Sequence, residues 1–134
     1  MKKIISIIAL VLCTLAVPAQ SISESSFAKI VSQSPDANVN FRLYPTTNKW
    51  TFLKLDTRSG VITHVQYSLG GGNMEYPLNP NPLVDVNKQK PGRFYMYPTT
   101  NMYNFILLDQ VSGKCWQVQW NMEEENRGVW RIMP

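Results

Sequence analysis

From residue 40 onward the chain is written in short runs that alternate apolar and polar side chains, each closed by a turn signal. A period of two marks a strand with one face in a core. Asn40 to Tyr44 predicts a first strand, and Pro45-Thr46-Thr47-Asn48 a turn, because proline fixes φ and asparagine tolerates a left-handed backbone. Trp50 to Asp56 predicts a second strand, closed by Thr57-Arg58-Ser59-Gly60 with glycine where positive φ is needed. Val61 to Leu69 predicts a third. One of its faces carries Thr63, Val65, Tyr67 and Leu69 and is expected in the core; the other carries His64, Gln66 and Ser68 and is expected in solvent. Gly70-Gly71-Gly72-Asn73 then turns the chain into a shorter fourth strand.

The same text is written twice. Shifted by 53 residues, Phe41 to Leu69 lies over Phe94 to Met122 without a gap, and 13 of 29 positions are identical, including Tyr-Pro-Thr-Thr-Asn at 44–48 and 97–101. The second copy places Trp116, Val118, Trp120 and Met122 on the expected core face, with Gln117, Gln119 and Asn121 opposite. With one added residue, Tyr76 to Pro80 aligns with Trp130 to Pro134. A repeat of this kind sets the architecture. The expected fold class is all-β: two tandem four-stranded antiparallel meanders of about 40 residues, packed with pseudo-twofold symmetry as a sandwich or a barrel, since one meander cannot hide its apolar face alone. A unit of this length also has the size of a propeller blade, but two blades cannot close a propeller without further chains.

The start of the chain has a different character. Met1-Lys2-Lys3, an apolar stretch from Ile4 to Val17 and then Pro18-Ala19-Gln20 predict an export signal over residues 1–19, cut after Ala19. The stretch is too short to span a bilayer. The expected domain plan is therefore signal 1–19, tail 20–39 with a helical turn around Phe27 to Val31, repeat one 40–80, linker 81–92 and repeat two 93–134, the repeats together forming one domain. The expected location is secreted or periplasmic.

Cleavage changes the charge. The formal +4 falls to about +2 as Lys2 and Lys3 leave, and the clustered cations of a nucleic-acid footprint are missing. Lys88, Lys90 and Arg93 read as a solvated linker. Cys13 leaves too, so Cys115 has no partner for an intramolecular disulfide. After cleavage the chain expects no membrane span.

Candidate chemistry is sparse. His64 is the sole histidine, which argues against a histidine-rich metal site, and no serine-elbow motif accompanies it. No cofactor and no metal are expected. Asp56 and Asp109 share one slot before the glycine turns, where an aspartate accepts backbone N–H bonds; facing each other, they would be the carboxylate pair of a small secreted hydrolase. The preferred expectation is a non-catalytic binding protein for a glycan or a protein partner, the latter including a periplasmic inhibitor or immunity-type role. A structural subunit that forms oligomers through strand edges is a further class. The candidate binding residues are Gln66, Gln119, His64 and Gln117 on the third-strand polar faces, with Trp50 and Tyr103 beside the turns. An amide at one slot in both copies suits a site that needs donor and acceptor together.

Overall fold

Eight strands form where the alternation predicts them: β1 (Phe41–Pro45), β2 (Thr51–Asp56), β3 (Ile62–Gln66), β4 (Met74–Pro77), β5 (Phe94–Pro98), β6 (Asn104–Asp109), β7 (Cys115–Gln119) and β8 (Gly128–Ile132). The computed structural model describes residues 38–134; the expected export signal, Cys13 and the expected helical turn in the tail lie outside the described residues. The strands make two antiparallel four-stranded sheets in the order β1-β2-β3-β4 and β5-β6-β7-β8, and neither closes on itself. Among the described residues the only helical pieces are 3-10 turns at Val86–Lys88 and Glu124–Asn126.

The register of each sheet follows from its turns. Phe41 lies opposite Asp56 and Pro45 opposite Phe52; Phe94 lies opposite Asp109 and Pro98 opposite Phe105. The Thr46 hydroxyl donates to the carbonyls of Asn48 and Thr51, and the Thr99 hydroxyl to those of Asn101 and Asn104. The Asn48 side chain accepts from the Trp50 amide at 2.9 Å, as Asn101 does from the Tyr103 amide at 3.0 Å. These asparagines act through the side chain rather than through a left-handed backbone, since no described non-glycine residue has positive φ. Gly60 and Gly113 take φ of 77° and 73° at the predicted hairpin positions.

One core lies between the sheets, and the two repeats contribute opposite faces to it. The first sheet buries Tyr44, Leu53, Leu55 and Ile62. The second buries Phe94, Met96, Phe105, Leu107, Trp116, Val118 and Trp120. Along β2 the buried positions are Thr51, Leu53 and Leu55; along β6 they are Phe105, Leu107 and Asp109, one residue out of phase with the repeat. A one-residue change of phase puts the other face of a strand into the core.

Two expectations are thereby corrected. Trp116, Val118 and Trp120 are buried as expected, but their counterparts Thr63 and Val65 are half-exposed and Tyr67 is exposed, while His64, expected in solvent, is fully buried. Lys54, which stands where the second repeat has Leu107, would be dragged inside with the Thr63 face, so β2 and β3 turn that face outward. The pseudo-twofold arrangement is also not what the buried faces describe, because a twofold axis would bury equivalent faces from both repeats.

Residues 81–92 form a connecting strap, exposed at most positions, Lys88 and Lys90 among them as expected, and pinned to the core at two. Leu83 and Val84 rest on the core, and the Leu83 amide donates to the Ser59 carbonyl at 2.8 Å. The repeats join again at Thr57, whose carbonyl accepts from the Phe94 amide at 2.8 Å and whose hydroxyl accepts from the Gly92 amide at 3.0 Å.

Candidate functional site

A concavity lies between the strap and the rim of the second sheet. It is a cleft of about 820 Å³, and Leu83, Gln89, Ser112, Lys114, Trp116 and Arg131 are among its walls. β7 places Trp116 on the core side, opposite Arg131 of β8. The Arg131 guanidinium lies 5.2 Å from the centre of the Trp116 ring and is held by donating to the Cys115 carbonyl at 2.7 Å. The cleft thus offers one aromatic wall and, at its rim, a guanidinium held in place. A smaller cleft of about 340 Å³ occupies equivalent positions on the first sheet, but it has Val61 and Thr63 where the larger one has Lys114 and Trp116. The smaller cleft has a phenyl ring, Phe41, among its walls and no indole.

At the floor of the larger cleft stands Asp109. Its carboxylate accepts from Arg93 Nε at 3.0 Å and Nη2 at 2.8 Å, from the amides of Val111 and Ser112, and from the Ser112 hydroxyl at 2.6 Å. Burial alone would raise its pKa, but the Arg93 guanidinium and the Ser112 hydroxyl outweigh burial and bring it down to about 2. Asp56 has the same turn role, accepting from the Arg58 amide at 2.9 Å and from the Arg58 side chain at 3.0 and 2.9 Å. Burial acts upward there too, and Arg58 more than offsets it, so this carboxyl also titrates below its usual range. Each aspartate has a basic companion that spacing did not reveal: Arg58 is two residues on, and Arg93 is delivered by the β5–β6 register. Arg93, expected on a solvated linker, is buried.

The six candidate binding residues separate into three places. His64 faces the second sheet, its ring centre 4.5 Å from that of Tyr76 and 5.9 Å from that of Trp120, edge-on to the latter. Its Nδ1 is 2.5 Å from the Tyr76 hydroxyl, and that hydroxyl donates its hydrogen to the Asn121 carbonyl at 3.2 Å. Its Nε2 and the Oε1 of Gln66 are buried without a hydrogen-bond partner. Burial, followed by the charge of Arg127, lowers the His64 pKa, so the ring is neutral at pH 7. Tyr103 stands against Trp120 at 5.2 Å in the same inter-sheet region. Gln117 and Gln119 are on the outward face of the second sheet, where Gln117 donates to Asn104 Oδ1 at 2.8 Å and Gln119 to the Asn126 carbonyl at 2.7 Å. Trp50 is on the outward face of the first sheet, 5.2 Å from Tyr67. The structure therefore brings His64 and Tyr103 together around Trp120 and does not gather the six into one site.

The cleft residues Trp116 and Arg131 were not among the expected site residues. The signal that could have found them is their register across β7 and β8, with Lys114 two residues before Trp116. Among the described residues there is no group of three or more acidic, histidine or cysteine side chains placed to hold a metal, and no helix long and apolar enough to cross a membrane. Compared with protein-family models, with curated proteins and with solved structures, the chain finds no match in any of the three.

Proposed function

We propose that the chain is an exported, non-catalytic binding protein that holds a glycan in the cleft beside Trp116. The single observation that supports this reading most is the indole, otherwise in the core, at the wall of a concavity that also carries Arg131, Lys114, Ser112 and Gln89 beside the apolar Leu83 and Val86. Sugars present apolar C–H faces edged by hydroxyls, and an aromatic ring with donors at its rim matches that pattern. The hydrolase alternative draws little from the geometry. A general acid must carry a proton near neutral pH, whereas Asp56 and Asp109 are each held as the anion by an arginine. A protein partner is favoured by a separate observation: both sheets keep large apolar side chains on their outward faces, Leu43 and Tyr97 among them.

Retention of the secreted protein on immobilised cell-surface polysaccharides tests the glycan reading. Arg131→Ala and Lys114→Ala alter exposed rim positions, so the melting temperature should stay near that of the unaltered protein while affinity falls about tenfold, the loss of one hydrogen bond to a charged donor. Binding that is unaffected by both substitutions would remove the cleft as the site.

A further inference from the structure

The two repeats fold alike and hide opposite faces, so each hidden face has an outward counterpart elsewhere on the molecule. Phe94, Met96 and Phe105 are buried; the same positions in the first repeat are Phe41, Leu43 and Phe52, of which Phe41 and Leu43 are exposed and Phe52 half-exposed. Tyr44, Leu53 and Leu55 are buried; their counterparts Tyr97, Ile106 and Leu108 look outward. An interface that joins unlike faces is heterologous. It leaves one copy of each face unused at the two ends of the stack.

We propose that a second copy of this chain docks there, the outward face of its second sheet receiving the outward face of the first sheet, and that such contacts close the copies into a ring. The occupant is specified by the internal interface itself. Inside the chain, the Met96 amide donates to the Tyr44 hydroxyl at 3.2 Å and the Phe94 amide to the Thr57 carbonyl at 2.8 Å. The counterparts between copies are the Leu43 amide with the Tyr97 hydroxyl, and the Phe41 amide with the Gln110 carbonyl. β1 is an edge strand, as this geometry requires. The aromatic pairing is already in place: Trp50 meets Tyr67 at 5.2 Å on the outward face, as Tyr103 meets Trp120 at 5.2 Å on the buried one. The charges on the outward face of the first sheet are matched locally, Lys54 with Glu75 and Asp56 with Arg58, which lowers the cost of covering them. Stacked four-stranded meanders close into rings of roughly four to eight sheets, which is about two to four copies of this chain.

Native mass spectrometry and light scattering on the secreted chain test the ring. The expected result is one discrete oligomer, dispersed to monomer by Leu43→Glu on one face and equally by Tyr97→Glu on the other. Both positions are exposed, at 57% and 46%, so the monomer should keep its melting temperature; Leu43→Ser and Tyr97→Ser replace them if a charge disturbs the fold. Mixed at high concentration, the two variants should form a one-to-one complex and stop, since each still carries the face that the other has lost. A wild-type chain that stays monomeric, an oligomer that only one of the two variants disrupts, or a mixture that remains monomeric would each overturn the proposal.

Discussion

The Tyr44 hydroxyl accepts a hydrogen bond from the Met96 amide at 3.2 Å, tying the edge strand of one sheet to the edge strand of the other within the core. Tyr44→Phe keeps the ring and leaves a buried N–H without its partner. The expected loss is about 1 to 3 kcal/mol in chemical denaturation. Burial also pushes the Tyr44 phenol up to about 12. Its folded-state value lies above the unfolded value of 10.0, so its contribution is whole below pH 10 and is lost as pH rises through 12. Alkaline unfolding should therefore weaken in its pH dependence in Tyr44→Phe, as followed by circular dichroism between pH 9 and 12.

The two turn aspartates should separate clearly in stability. Asp109 and Arg93 are both buried, and Asp109→Asn strands the guanidinium, for a loss of roughly 3 to 5 kcal/mol. Asp56 pairs with a partly exposed Arg58, and Asp56→Asn should cost distinctly less. Because the Asp109 pKa is depressed, its stabilisation is present above about 3.8 and is lost as pH falls through about 2. Equal losses from the two substitutions would contradict the burial difference.

Strand order, turns and register were legible because they depend on local chemistry written twice. What was not legible is which face each meander buries. For β3 the choice between the Thr63-Val65-Tyr67 face and the Ile62-His64 face turns on the neighbouring strand: Lys54, opposite Thr63, shares the first face and is charged. In the second repeat Leu107 stands where the first has Lys54, and that substitution is the clearest sequence trace of the inversion. His64 is hidden because it occupies a core position of a short strand, with Tyr76 supplying its hydrogen bond; a lone polar residue gives no warning of that. The cleft was missed for a different reason. Its walls come from the strap and from β7 and β8, which only the folded register brings together.

The His64 ring should titrate below its ordinary 6.5 in the folded protein, because burial and Arg127 both oppose the imidazolium. With the folded value depressed, its stabilisation is whole above pH 6.5 and is lost as pH falls through the folded value. NMR titration of the single imidazole reads this directly. A midpoint at or above 6.5 would be inconsistent with the buried, neutral ring.

Gly60 and Gly113 make an internal control. Both have positive φ, so alanine costs about 1 to 2 kcal/mol at either from backbone alone. At Gly60 an added Cβ would also meet Leu83 Cδ1 at 2.9 Å and Phe94 Cε1 at 3.1 Å, whereas at Gly113 nothing lies within 4 Å. Gly60→Ala should therefore lower the melting temperature further than Gly113→Ala. The reverse order would dislodge the strap from its place against the core.

The inversion of buried faces is the centre of the account, and thiol labelling at four equivalent positions measures it most directly. In a Cys115→Ser background, Leu43→Cys and Tyr97→Cys are expected to react quickly in dilute protein, while Met96→Cys and Tyr44→Cys, their repeat counterparts, stay protected until the chain unfolds. At concentrations where copies assemble, Leu43→Cys and Tyr97→Cys should become protected as well, each to the extent that the substitution leaves docking intact. Equal reactivity within the Leu43/Met96 pair or within the Tyr44/Tyr97 pair in dilute protein would contradict it.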